Sequence, residues 1–486
     1  MADKNDEKVV TTSIPSTPSN EIQADTYNAE LEKRVMRKID FWLVGFYSVV
    51  YIFRVIDSSN YSNAAIINLE NGTGIKQELG FSPSEWSWTQ SIFSYSYLFF
   101  EPTNTILLKG FTPSRWMFIL ILSWGICACA AGAAQNFSGM MCVRFAIGLA
   151  EAGFYPAVLY HMAFWYRPAE MRWRIALFYS LGQVSGALSG LLAYAISYMD
   201  GAGGLSVWRW LFILEGLPAI LLSVVALLGL PDYPETARML TEEERVFLKG
   251  RLSDASPSGK DKSWDWSGFK ALLKSPTLYT FSIYWIGHGI GGFGVNYALP
   301  TVIYELGFTT TALSQLMNIV SAGFRQTKPY IANDWYSPHT LHHGPLQSRV
   351  SILGDSGVSL LTTPTVESTT IICYIILITV KNSVVKYLAL VVATACAGSA
   401  YPVIWPERIR ALEGTVAVGI GIGYTNALAQ FSGIAGPHIY STVFGPTYHV
   451  SYVIWSDIPC LIRHLPVLPL RGHLRCLKLL VACLEE

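Results

Sequence analysis

The feature that most constrains this chain is a series of apolar runs, each about twenty residues long and broken by few polar residues. An α-helix rises about 1.5 Å per residue, so roughly twenty apolar residues cross the ~30 Å hydrocarbon core of a bilayer. Seven such runs precede residue 305, at 41–67, 86–108, 116–134, 140–165, 175–198, 211–230 and 278–300. Only 14% of the 486 residues are charged, where a soluble protein carries roughly a quarter. The expected fold is therefore all-α and polytopic. Acidic and basic residues balance at 34 each, so no net charge draws the chain to nucleic acid.

Basic residues orient the spans. Lys33, Arg34, Arg37 and Lys38 precede the first, Lys109 and Arg115 join the second and third, and Arg167, Arg172 and Arg174 join the fourth and fifth. The positive-inside rule puts these segments in the cytosol. The alternate loops are poor in Lys and Arg, and two carry sequons, at Asn71 and Asn136. Residues 1–38 hold no apolar stretch and read as a disordered cytosolic tail without a cleavable signal.

Six spans in 39–230, a polar linker at 231–276 and further spans in 277–452 form the plan of two six-helix halves. Within the linker, Thr241 and Glu244 have the spacing of a capping box that opens a short helix. On the fifth span, Gly182, Gly186 and Gly190 offer a small-residue face for close helix contact. The cysteines inside apolar runs, among them Cys127, Cys129 and Cys142, lack metal-ligand spacing and read as small core residues.

An ionisable group at the bilayer centre costs at least about 2.5 kcal/mol, so each one within a span is a candidate for function. Arg54 and Asp57 stand three apart on the first span, Glu101 precedes Pro102 on the second, and Arg144 and Glu151 stand seven apart on the fourth. Both spacings put the pair on one helical face. An Arg fork suits a carboxylate cargo, and a buried acid can take up and release a proton. The same residues also suit an internal salt bridge between spans one and four. Gln183, His288, Asn296 and Asn426 are polar in-span residues that fit either substrate binding or helix–helix hydrogen bonding.

Gly289-Ile-Gly291-Gly-Phe-Gly294 matches a dinucleotide-binding spacing, but it lies inside a span with no preceding strand. No zinc-protease, Walker or nucleophile-elbow motif is present. The chain is read as a non-enzyme without cofactor or resident metal.

Arg144-Phe-Ala-Ile-Gly-Leu-Ala-Glu151-Ala-Gly-Phe-Tyr-Pro156, with Phe100-Glu-Pro-Thr-Asn104 and Ile213-Leu-Glu-Gly-Leu-Pro218, resembles the anion:cation symporters of the major facilitator superfamily. Within these it looks like the fungal allantoate permease branch. The resemblance implies import of a small carboxylate nutrient, such as allantoate, nicotinate, pantothenate or biotin, together with protons. It implies coupling at Asp57 and Glu151 and anion binding at Arg144; Glu101 is read as a further candidate for coupling, and Arg54 and Tyr155 as further candidates for anion binding. A monomer in the plasma membrane is the expectation. The branch often has Asp-Arg on the first span, whereas here Ser58 follows Asp57 and Arg54 lies one turn earlier.

The second half departs from the plan. Residues 321–368 contain no apolar run of spanning length, 371–380 is half a span, and charges interrupt the twelfth span at 453–486. We read spans 8, 9 and 12 as damaged, with 321–368 and 453–486 as products of a retained intron or shifted frame. A soluble insertion using His339, His342 and His343 as a metal site is the competing reading, and a transport-defective or sensor-like membrane protein is the alternative function.

Overall fold

The computed structural model describes residues 18–68, 72–108, 110–252 and 266–296 and, with short gaps, 368–396 and 415–443. All regular structure among the described residues is helical. Helix α1 (Pro18–Ile39) runs through a π-helical turn at Asp40–Gly45 into α2 (Phe46–Ala64). A short α3 (Ile75–Glu78) leads to α4 (Pro83–Leu108) and α5 (Pro113–Ala131), and then α6 (Phe137–Glu151) and α7 (Phe154–Met162). The first half closes with α8 (Pro168–Ser197) and α9 (Val207–Gly229). The linker holds α10 (Glu242–Arg251) and α11 (Trp266–Lys274), before α12 (Pro276–Asn296). Two short apolar helices follow, α13 (Ser368–Leu377) and α14 (Val384–Ala393), and then α15 (Thr415–Ala429) and α16 (Phe431–Ile439).

Apolar side chains face outward as well as inward, and several ionisable groups lie inside. Leu228 is 80% exposed and Phe41 74%, whereas Asp57, Asn60, Asn63, Ser91, Glu101, Glu151 and Glu215 are buried. Among the described residues, four helices are long and apolar enough to cross a membrane: Ala29–Ala64, Pro113–Ala131, Phe137–Met162 and Val207–Gly229. Helix α4 is as long but more polar, because Ser87, Thr89, Ser91, Ser94 and Ser96 are buried against neighbouring helices.

Small residues set the closest helix approaches. A Cβ on Gly182 would fall 2.0 Å from the Tyr51 ring, and one on Gly148 2.4 Å from the Phe93 backbone carbonyl oxygen. Helix α9 packs on α5 in the same way, since a Cβ on Gly216 would meet the Gly125 carbonyl oxygen at 2.6 Å. These contacts bring α8 onto α2, α6 onto α4 and α9 onto α5.

Two expectations need correction, and a third needs a refinement. The tail expected to be disordered to residue 38 is helical from Pro18, and Leu31, Val35, Met36 and Ile39 form a buried stripe at helical spacing. Its Ala, Glu, Lys and Arg are strong helix formers, so propensity and packing agree. The fourth span runs as expected over Phe137–Met162 but with its helical bonding interrupted between Glu151 and Phe154, where Gly153 packs close to Asn104 and Pro156 denies the Ala152 carbonyl its donor. Cys142, read as a core residue, is exposed on the outer face of α6. The expectations for residues 297–367 and 444–486, including span 12 and the histidine cluster, lie outside the described residues.

The Thr241–Glu244 capping box forms: Glu244 N–H donates to Thr241 Oγ1 at 3.3 Å, and Thr241 N–H to the Glu244 carboxylate at 2.9 Å. Glu244 also accepts from Lys38 Nζ at 2.7 Å, tying the linker to α1. Arg251 extends this clasp to Glu32 at 2.6 Å and to Glu170 at 3.0 Å, and Arg174 grips Asp40 with two bonds, at 2.6 and 3.0 Å. Burial pushes the Glu244 carboxyl up, but the bonds from Lys38 and Thr241 outweigh it and hold the group below its ordinary value. A depressed acid stabilises the fold above its unfolded pKa and loses that contribution as pH falls through the folded one. Proteolysis of the linker is therefore expected to stay slow at neutral pH and to rise only once the pH falls below the ordinary glutamate range, with Lys38→Met flattening the response.

Candidate functional site in the first-half bundle

The site is built from α2, where Arg54, Asp57 and Tyr61 recur at helical spacing and turn one polar face inward. Helix α6 brings Arg144 and Glu151 toward it, α4 contributes Thr89, Phe93 and Glu101, and α5 contributes Trp124. Arg54 Nε lies 3.0 Å from Glu151 Oε2, an ion pair across spans one and four, with Glu151 2% exposed. The internal salt bridge seen as an alternative in the sequence is thus present, and it takes Glu151 away from Arg144.

Asp57 sits beside this pair. Its Oδ2 accepts from Trp124 Nε1 at 2.8 Å, and its carboxyl lies within hydrogen-bond reach of the Glu151 carboxyl. Arg54 and Arg144 both act on it electrostatically. An acid between another acid and two guanidiniums can gain or lose a proton with little change in the shape of the site.

Arg144 is held differently. It is 9% exposed, its Nε donates to the Thr89 carbonyl oxygen at 3.4 Å, and its guanidinium lies 3.8 Å over the Tyr61 ring and 4.9 Å from that of Phe93. Among the described residues it has no carboxylate within ion-pair distance. Tyr61 is itself fixed, since its hydroxyl donates to Thr89 Oγ1 at 2.5 Å and its ring stacks on Trp86 at 4.8 Å. The cation is therefore oriented by aromatic faces, and Asp57 and Glu151 act on it only from beyond ion-pair distance.

Glu101, fully buried on α4, accepts from Asn426 Nδ2 of α15 at 2.7 Å, a bond between the two halves. Ser91 and Ser87 add bonds from α4 to the Ile434 and Pro437 carbonyls at 2.9 and 3.0 Å. Asn426 thus makes the helix–helix bond that was one of its two readings.

Tyr155 is buried and stacks on Phe178 at 6.1 Å, and His288 lies among Tyr284 and Trp285 of its own helix. The side chains of Gln183 and Asn296 lie outside the described residues. The structure brings Arg54, Asp57, Arg144 and Glu151 together and joins Glu101 to Asn426. Trp124, Tyr61 and Phe93 are contributors that the sequence reading did not name. Glu215 is another, although an acid in the apolar run 211–230 was a visible signal.

The sequence pattern of the Major Facilitator Superfamily matches residues 49–437, well over half of the chain. The chain belongs to that superfamily. It is 32% identical over 298 residues to the MFS transporter prlL of a fungal species (strain NRRL 50135), covering 61% of this chain and 60% of that protein. It is 27% identical over 416 residues to a putative tartrate transporter of Agrobacterium vitis, covering 84% of each. The first relatives are thus matched over about three fifths of their length.

Among solved structures, the bundle resembles a bacterial homologue of the human lysosomal transporter Spinster, with a TM-score of 0.60 at 14% identity. That match covers 87% of this chain and 95% of the other. It also resembles the human organic anion transporter MFSD10, with a TM-score of 0.55 at 12% identity over 87% of this chain and 98% of that one. Superfamily and fold are those of integral membrane transporters and not of enzymes.

Proposed function

We propose that this superfamily member is a secondary transporter that imports a small organic anion together with protons. One observation carries the reading: Arg144 is a buried guanidinium stacked on two aromatic rings and, among the described residues, without a carboxylate partner. A guanidinium that no carboxylate grips keeps its bidentate fork open, so a carboxylate cargo is its natural partner. The putative tartrate transporter among the relatives, named for a dicarboxylate, supports that cargo class. Asp57 and Glu151 supply acids for proton coupling, and Arg54 responds to their charge. The anion:cation symporter reading, the allantoate permease-like branch, a monomeric state and the plasma membrane belong to the same proposal.

Uptake of a panel of radiolabelled carboxylates, tartrate included, into cells lacking their own importers tests it. Asp57→Asn and Glu151→Gln are expected to abolish accumulation driven by an inward proton gradient while preserving exchange of internal for external anion, because fixing an acid in its neutral form removes coupling and leaves binding. Gradient-driven accumulation at normal rates in both variants would sink the coupling scheme. The absence of a spanning run in residues 321–368 favours a second reading, a transport-defective or sensor-like membrane protein. Uptake by the chain as written, compared with one carrying a frame-repaired second half, separates the two.

A further inference from the structure

Glu215 has no part in the Arg54–Glu151 ion pair or in the seat of Arg144. It stands on α9, three residues before Pro218, in a helix otherwise dominated by Leu, Val and Ile. Only 5% of its surface is exposed, and neither carboxylate oxygen has a hydrogen-bond donor. Its place is fixed by packing: Gly216, the next residue, is pressed against Gly125 and Cys129 of α5, and Trp124, beside Gly125, binds Asp57.

The group that faces Glu215 from α2 is Asp57, within hydrogen-bond reach of it. From α5, Cys129 approaches the same turn of α9, its Sγ 3.7 Å from the Ile213 carbonyl oxygen. The electrostatic neighbour of Glu215 is thus another acid and not a guanidinium. Two carboxylates cannot hydrogen-bond each other unless one carries a proton, and an ionised carboxylate without a donor between apolar helices costs several kcal/mol. A proton on Glu215, donated to Asp57, removes both penalties with no movement of the helices.

Charge balance in the bundle points the same way. Among the described residues, leaving aside Arg174 and Glu244 of the linker clasp, the buried acids Asp57, Glu101, Glu151 and Glu215 face two guanidiniums, Arg54 and Arg144, and so outnumber them by two. One proton on the Asp57–Glu151 pair leaves the interior one negative charge in excess. A second proton makes it neutral.

We propose that Glu215 is a second proton-binding carboxyl, sharing its proton with Asp57 across the α2–α9 contact. Asp57 then has two acids within reach, Glu151, which is paired with Arg54, and Glu215, which is seated by the α5–α9 packing. This deepens the proton-coupling reading and rests on it.

The test is infrared difference spectroscopy of the full chain in lipid vesicles, stepped from mildly acidic to alkaline buffer with no cargo present. In the wild type, a protonated-carboxyl C=O band is expected to disappear across the step. Glu215→Gln, which keeps a donor toward Asp57 and so preserves packing, is expected to lose that band. Asp57→Asn is expected to keep it at a shifted frequency, because its hydrogen-bond partner has changed. Three results would overturn the proposal: no band lost in Glu215→Gln, a band unmoved by Asp57→Asn, or a band that persists in alkali and so marks a permanently neutral structural acid. Failure of wild-type anion uptake would count against the transport reading and leave the spectral result standing.

Discussion

Arg144→Ala is expected to raise the half-saturating concentration of a transported carboxylate by two to three orders of magnitude. A charge-assisted, desolvated pair lost on one side costs about 2–5 kcal/mol, and each 1.4 kcal/mol is about a factor of ten. Arg144→Lys tests whether geometry matters as much as charge. An ammonium offers no planar fork and stacks poorly on Tyr61 and Phe93, so the conservative change is expected to recover little of the loss. The measurement is the concentration dependence of initial uptake, normalised to protein at the membrane. Normal half-saturation in Arg144→Ala would remove the anion site from this residue and leave the Asp57–Glu151 scheme to be judged on its own.

The charged residues inside the spans were legible because hydrocarbon makes them expensive, and that cost is visible in one sequence without any partner being known. Arg54, Asp57, Glu101, Arg144 and Glu151 were all marked by this argument, and all five are buried or nearly so. Partnership was less legible. Spacing along α6 puts Arg144 and Glu151 on one face, but it cannot say which neighbouring helix each meets, and here Glu151 meets Arg54 while Arg144 meets aromatic rings. Trp124 carries no charge and sits in an apolar run, so its donation to Asp57 leaves no mark in the sequence. Glu215 did leave one, an acid within an otherwise apolar run, but it lay inside a motif noted for its resemblance.

Helix identity followed from hydropathy, whereas helix continuity depended on single residues. The break after Glu151 is set by Gly153 and Pro156, and a count of apolar residues passes over both. Three of the buried acids stand near a helix irregularity: Glu101 before Pro102, Glu151 at the α6–α7 break, and Glu215 one turn before Pro218. A proline removes one backbone donor and frees a carbonyl one turn earlier. These turns are therefore more polar and more easily adjusted than their neighbours, which suits acids that change protonation.

Gly148→Ala is the substitution expected to damage the fold most for its size. The added methyl would lie 2.4 Å from the Phe93 carbonyl oxygen and 2.1 Å from Ser96 Oγ. The hydroxyl can rotate away, but the carbonyl belongs to the α4 backbone, so α4 and α6 must separate. Overpacking of this kind costs about 1–3 kcal/mol and sometimes more, and here it also pulls apart the elements that hold Arg144, because Thr89 and Phe93 move with α4. A lower melting temperature of the purified protein is expected, together with an uptake defect beyond what reduced expression explains. Gly148→Val, bulkier and β-branched, should leave little folded protein at the membrane. Fluorescence-detected size exclusion after a heat step, read beside uptake per folded molecule, separates the two effects. A Gly148→Ala protein as stable and as active as the wild type would show that α4 and α6 do not pack at this distance, and the seat proposed for Arg144 would fall with that contact.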